Sequence, residues 1–210
     1  MMVSRQSRQY KMGVNQSESA KWFQSENEFN ELFPVAMQKL DTRHWSSLKI
    51  AKKAADFLAD GGPSKILDIG SGVGKFCLAG AYYQPRSQFY GVEQRENLTA
   101  CALKAQNMLG LENVHFTTGN FTEVDFSAYD HFYFFNSFFE NLTGTNKIDQ
   151  SISHASHLFN YYNQYLNAEL AKMPAGTKLV TFHSLEDEVP EGYFVVASEM
   201  NNSLKFWLKV

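Results

Sequence analysis

The stretch Ile66-Leu67-Asp68-Ile69-Gly70-Ser71-Gly72-Val73-Gly74-Lys75 decides the fold. Apolar residues surround an acid, and three glycines then follow on alternate positions. That order predicts a buried strand ending near Asp68, a tight turn through the glycines and a helix starting near Lys75. Glycine has no Cβ and tolerates φ > 0, so a ligand can approach bare backbone at such a turn. The helix behind it would direct its free N–H groups at the ligand.

Outward from this turn, strands and helices alternate. Lys65–Ile69 reads as a first strand, Lys75–Tyr83 as a helix and Gln88–Glu93 as a second strand. A helix over 97–109 ends at Gly110 as its C′ residue. Val114–Thr118 is a third strand, and 132–135, aromatic at every position, a fourth that is buried on both faces. Ile148, Ile152, Ala155, Phe159, Tyr162, Leu166 and Leu170 step by three and four, which predicts one long helix. Pro174-Ala175-Gly176 ends it, and 178–183 is a fifth strand. Segments 193–198 and 204–210 read as an antiparallel hairpin around a polar turn. Upstream, the apolar spacing from Leu48 to Leu58 fits a helix with Ser46 or Ser47 as its N-cap, ended by Gly61-Gly62-Pro63. Repeated strand–helix units imply an α/β fold, a parallel sheet with helices on both faces and the hairpin as an antiparallel edge.

The chain has 210 residues, which suits one domain with an extension. The main domain is assigned to 46–210. Residues 1–45 form a tail and a helical, lid-like extension, loosely attached up to about residue 18. Between 22 and 40 it is rich in aromatics, with one or two short helices interrupted near Pro34. Net charge is −3 without a block of like charge, so no dedicated nucleic-acid surface is expected. No apolar run is long enough to span a bilayer. The two cysteines, Cys77 and Cys101, sit among apolar neighbours in helices and read as free buried thiols. A cytoplasmic protein fits these features. His154 and His157 share no metal-ligand spacing with a cluster of acids or cysteines, so no metal site is expected.

In an open parallel sheet, ligands bind outside the carboxyl ends of the strands. Glu93 ends the second strand, 25 residues after Asp68, and can accept hydrogen bonds from ribose hydroxyls. Asn120 and Phe121 follow the third strand and could bracket an adenine, the amide at its edge and the ring on its face. An adenosine-containing ligand fits. A dinucleotide site reads G-x-G-x-x-G, and here the last glycine would fall on Lys75 or Cys77, so the register is wrong. Asp68 would also repel a diphosphate while attracting an ammonium or sulfonium. The absence of G-x-x-x-x-G-K-[ST] excludes a mononucleotide P-loop.

Asp68-Ile-Gly-Ser-Gly-Val-Gly74 together with Glu93 resembles the first motif and partner acid of the class I S-adenosylmethionine-dependent methyltransferases. The resemblance runs over roughly 45–210 and implies a Rossmann-like, doubly wound, seven-stranded, mostly parallel sheet. It implies S-adenosyl-L-methionine as cofactor, with Gly70, Gly72 and Gly74 at the methionine part, Glu93 at the ribose and Asn120 and Phe121 at the adenine; Asp68, Ser71 and Gln94 are also expected to bind it. Trp45 and Ser46, before a helix N-terminus, could close over the methionine part. A finer likeness joins Asp68–Gly74, Tyr90-Gly-Val-Glu93 and Phe135-Asn136-Ser137-Phe138 to the non-SET histone-lysine methyltransferases. Asn136-Ser-Phe-Phe139 also resembles the N-P-P-[YF] of amine and amide methyltransferases, with both prolines absent.

Asn136 is therefore the expected substrate-positioning and catalytic residue, near the cofactor as well. His44, Glu140 and His183 are candidate proton acceptors on the same face. The expected acceptor is a small molecule or a protein side chain, with neither nucleic acid nor membrane as partner. Two other readings use the same site: a non-catalytic cofactor-binding subunit, and another transferase on this fold, such as an aminopropyl transferase.

Overall fold

The computed structural model describes residues 19–152 and 154–210. Its strands are β1 (Lys65–Ile69), β2 (Gln88–Glu93), β3 (Val114–Thr118), β4 (His131–Phe134), β5 (Lys178–Phe182), β6 (Tyr193–Glu199) and β7 (Leu204–Lys209). They form one seven-stranded sheet in the order β3-β2-β1-β4-β5-β7-β6. The first five strands are parallel, and β7 runs antiparallel to both β5 and β6. The expected sheet is thus present, with its closing hairpin. Strand order reverses between β1 and β4, so the ends of these strands open a crevice.

The main-body helices are α4 (Leu48–Leu58), α5 (Lys75–Tyr83), α6 (Glu96–Leu109) and α7 (Ser156–Lys172). One face of the sheet buries α4, α5 and α6 with Ile66, Phe89, Tyr133 and Val180. The other buries Phe159, Tyr162, Leu166 and Leu170 of α7 against Leu67, Ile69, Phe132 and Phe134. Central strands apolar on both sides are the reason the sheet must be covered twice. Ser47, not Ser46, caps α4, its Oγ accepting from Ile50 N at 3.3 Å. Gly110 closes α6 at φ +64°.

Three expectations shift. The long helix begins at Ser156, so Ile148 and Ile152 lie outside it. Side chains hold the preceding segment in another shape: Ile148 N donates to Glu140, and Ser151 N donates to Asp149. Strand β4 covers 131–134, one residue earlier than expected, and β5 ends at Phe182. Asn136 and His183, just beyond them, take φ of +38° and +52°, which a strand cannot accommodate.

Upstream of α4 the chain is more broken than the aromatic pattern implies. A 3₁₀ turn (Ala20–Phe23) precedes α1 (Glu26–Asn30), α2 (Val35–Gln38) and α3 (Asp41–His44). Ser25 caps α1, and Pro34 stands just before α2. These pieces lie against α5. Phe23 stacks on Tyr82 with centroids 3.8 Å apart, and the buried Lys75 ammonium reaches Glu26 (2.7 Å), Asp41 (3.1 Å) and Asn30 (3.1 Å). The loose tail expected up to about residue 18 lies outside the described residues. Both cysteines are free; Cys77 is buried and Cys101 half-buried.

Candidate functional site

The glycine turn supplies the floor of the crevice. Gly70 sits at φ +76°, and a Cβ there would lie 2.4 Å from Ser137 Cβ and Oγ. Ser137 itself donates to Ile69 O at 2.8 Å, so the loop after β4 is bonded to the end of β1. At Gly72 a Cβ would meet nothing within 4 Å: its backbone faces open space. Gly72 N donates to Glu93 Oε2 at 3.0 Å, and Arg95 N donates to Glu93 Oε1 at 3.0 Å. Glu93 is thereby fixed at the mouth of β2. Burial pushes its carboxyl above the usual range, while those two donors and the Arg95 charge pull it back.

One cavity gathers Trp45, Asp68, Gly70, Ser71, Gly72, Glu93, Gln94, Phe121 and Asn136. Two expected members do not line it. Gly74 caps α5 with its Cα turned to the Phe116 ring, where a Cβ would come within 2.4 Å. Asn120 is engaged in its own turn: Oδ1 accepts from Thr122 N at 3.2 Å, and Nδ2 donates to Tyr162 Oη at 2.9 Å. Phe121 stacks on Phe138 with centroids 4.9 Å apart. Ser71 lines the cavity, while its Oγ is turned against Gly91, buried and with no hydrogen-bond partner among the described residues.

Asp68 lies at the base of the cavity, almost wholly buried. Burial raises its carboxyl pKa to about 8; the Cys77 thiol, 3.6 Å away, lowers it and the Glu93 charge raises it. Beside it, the Tyr133 hydroxyl meets Ser46 Oγ at 2.5 Å, which ties the strand floor to the segment before α4. Ser46 and Tyr133 both line the cavity.

The lining also includes Asn136, Phe138, Phe139, Glu140, His44 and His183. Asn136 O accepts from Phe139 N at 3.1 Å, so its carbonyl caps a turn. Glu140 is paired with Arg95 at 2.7 Å and accepts from Ile148 N at 2.9 Å. It is a structural anion in this arrangement. His183 is exposed, tilted against Phe182 with centroids 4.2 Å apart. Burial lowers the His44 pKa, the nearby Glu140 charge opposes that, and Arg95 and Arg43 reinforce it.

Two residues in this network escape a reading by motif. Arg95 is buried at the start of α6 among Glu93, Glu140 and Asp149. Lys75 follows the glycine turn and ties α1 and α3 to it. Neither has a local signal beyond its place next to a motif, because their partners come from distant segments.

Residues 63–141 match the family described as "Putative methyltransferase". The tRNA (guanine-N(7)-)-methyltransferase of Synechococcus sp. (strain JA-3-3Ab) is 50% identical over 54 residues, 26% of this chain and 23% of that protein. The enzyme of the same description from Synechococcus sp. (strain JA-2-3B'a(2-13)) is 48% identical over 54 residues, with the same coverage of each. The matched stretch is thus about a quarter of the length of these relatives. Among solved structures, TrmN from Thermus thermophilus has a TM-score of 0.56 at 21% identity, over 83% of this chain and 52% of that one. An RNA methyltransferase from Salinibacter ruber, in complex with S-adenosyl-L-homocysteine, has a TM-score of 0.52 at 17% identity, over 78% and 89%.

The fold is that of the class I S-adenosylmethionine-dependent methyltransferases. The expected cofactor, S-adenosyl-L-methionine, is borne out with it. The expected partners are not. Relatives that act on tRNA overturn the expectation of a small-molecule or protein acceptor without nucleic acid. The error came from reading net charge as a property of every surface. Two basic side chains are buried in ion pairs, Lys75 with Glu26 and Arg95 with Glu140, whereas Arg43, exposed on the cavity lining, makes no ion pair among the described residues. No helix among the described residues is long and apolar enough to cross a membrane.

Proposed function

We propose that this chain methylates RNA, with a ring nitrogen of guanine in tRNA as the acceptor. The local identity to the two tRNA (guanine-N(7)-)-methyltransferases carries the reading. The turn after β4 supports it. An amine acceptor must lose a proton and suits the rigid N-P-P-[YF] turn that aims a carbonyl at its N–H, whereas Asn136-Ser-Phe-Phe139 lacks both prolines. Guanine N7 offers a lone pair in the ring plane and has no proton to lose.

In this reading Gly70, Ser71 and Gly72 line the methionine part of the cofactor, and Asp68 faces its ammonium. Glu93 holds the ribose hydroxyls and Phe121 a face of the adenine. Bound there, S-adenosyl-L-methionine would supply a sulfonium-activated methyl group to the nitrogen lone pair, the thioether being the leaving group. The residues orient the partners and keep water out, and orientation alone can remove about 7–11 kcal/mol of barrier in favourable systems. Segment 20–45, anchored by Lys75, serves as a wall or lid through His44 and Trp45. The Asn136 side chain positions the base. His44 and His183 then shape the pocket without acting as bases. A cytoplasmic setting goes with a tRNA substrate.

Unmodified tRNA incubated with isotopically labelled cofactor tests this. Nucleoside mass spectrometry should find the label in 7-methylguanosine, and the single-turnover rate at saturating cofactor should change less than threefold between pH 7 and 9. Label in an exocyclic amine, or a log-linear rise of rate with pH, overturns the ring-nitrogen assignment; no transfer to any RNA overturns the substrate class. Arg43→Ala should weaken tRNA binding and lower the salt slope by about one, as expected for one lost phosphate contact. Titrations at several salt concentrations measure it, and an unchanged slope removes Arg43 from the RNA surface.

A further inference from the structure

We propose that Arg95 is a positioning residue that couples the cofactor pocket to the segment walling its acceptor side. This rests on the reading that the cavity takes S-adenosyl-L-methionine. The guanidinium is buried, with 4% of the side chain exposed, and reaches three acids from three parts of the chain. Nη1 lies 3.7 Å from Glu93 Oε1, Nη2 2.7 Å from Glu140 Oε2 and Nε 3.0 Å from Asp149 Oδ1. Nη2 also lies 3.4 Å from His154 Nε2. Glu93 is the acid at the ribose position, and Glu140 stands in the turn after β4.

The segment attached to this cluster is held by side chains rather than by its own backbone. Among the described residues, 143–152 makes no backbone-to-backbone hydrogen bond. At its start Thr145 Oγ1 donates to Leu142 O (2.8 Å) and Thr143 Oγ1 meets Ser156 Oγ (3.4 Å); from 148 on its shape rests on Ile148 N donating to Glu140 (2.9 Å), Ser151 N and Oγ donating to Asp149 (2.9 and 2.7 Å), and Ile148 packing on the core. Asn146, Ile148 and Ile152 line the cavity, while Asp149 does not. A ligand whose hydroxyls fix Glu93 therefore fixes the guanidinium, and the guanidinium fixes the two acids that shape this wall. Coupling of this kind is reciprocal: cofactor orders the wall for the acceptor, and an ordered wall tightens the cofactor.

The test is Asp149→Ala, a change outside the cavity. Affinity for S-adenosylhomocysteine is measured by calorimetry, and order in the wall by amide hydrogen exchange. In the wild-type protein S-adenosylhomocysteine should slow exchange across 143–152. In Asp149→Ala that protection should disappear and affinity should fall at least about fivefold, the low end of typical coupling. Asp149→Asn, whose Oδ1 still accepts from Nε, should recover part of both, and equal melting curves would exclude general unfolding. Wild-type binding with unaltered affinity in Asp149→Ala, or no protection of 143–152 in the wild type, overturns the coupling alone. A wild-type protein that binds no S-adenosylhomocysteine overturns the cofactor reading and the coupling together.

Discussion

Glu93→Ala is expected to weaken S-adenosylhomocysteine binding about a hundredfold, close to the loss of two charged hydrogen bonds at roughly 1.5 kcal/mol each. The carboxylate has two duties. One is the proposed contact to the ribose. The other is internal: it accepts from Gly72 N and Arg95 N and stands beside the Arg95 charge. Alanine would leave the Gly72 N–H without its acceptor, loosening the turn that faces the ligand. Glutamine should not rescue it. One amide oxygen can replace one carboxylate oxygen, but the NH₂ would then confront a backbone donor, and the charge facing Arg95 would be gone. Calorimetry on the three proteins, with melting curves to confirm folding, decides the matter. Affinity within threefold of wild type in Glu93→Ala removes its ribose role.

The frame of the molecule was legible because its signals are local. Strands β1, β2 and β3 and helix α5 fall where apolar runs, glycines and a closing acid put them, since a buried central strand and a glycine turn leave few alternatives. The start of α7 was not legible. Ile148 and Ile152 keep the helical period, yet they belong to a segment shaped by Glu140 and Asp149. Periodicity cannot distinguish an apolar residue that faces a core from one that walls a cavity. Arg95 and Lys75 escaped for a related reason: Asp149 is 54 residues from Arg95, and Glu26 is 49 from Lys75. Such pairs exist only after folding. Asn120 shows the opposite failure. Its position after β3 was read well, but the amide serves Thr122 N and Tyr162, and the cavity keeps only Phe121. The acceptor was least legible, since net charge sums the paired lysines and arginines with the exposed ones.

Asp68 should make cofactor binding depend on pH in a window where few carboxyls titrate. Its folded-state pKa of about 8 leaves it protonated at pH 7 in the free protein, so it does not yet attract a cation. A ligand ammonium placed beside it favours the anion and lowers that pKa. Binding below pH 8 therefore releases a proton, and affinity should climb nearly tenfold from pH 6 to pH 7, then level off above about 8. Folding has the opposite slope. The folded state holds this proton more tightly than the unfolded chain, so Asp68's contribution to stability is complete below its unfolded pKa and is lost as pH rises through about 8. The melting temperature of the free protein should accordingly fall between pH 6 and 8.5, while the increase brought by S-adenosylhomocysteine grows. Glu93 and His44 face the same cavity. Burial raises the Glu93 carboxyl and lowers the His44 imidazole, so both can add to the pH dependence of this cavity. Asp68→Asn separates the sources. It should flatten both trends between pH 7 and 8.5, and calorimetry in buffers of different ionisation enthalpy should find no proton released. A wild-type protein whose affinity for S-adenosylhomocysteine is constant from pH 6 to 8 would mean that Asp68 keeps its proton when the ligand binds, and that the ammonium is held by other groups.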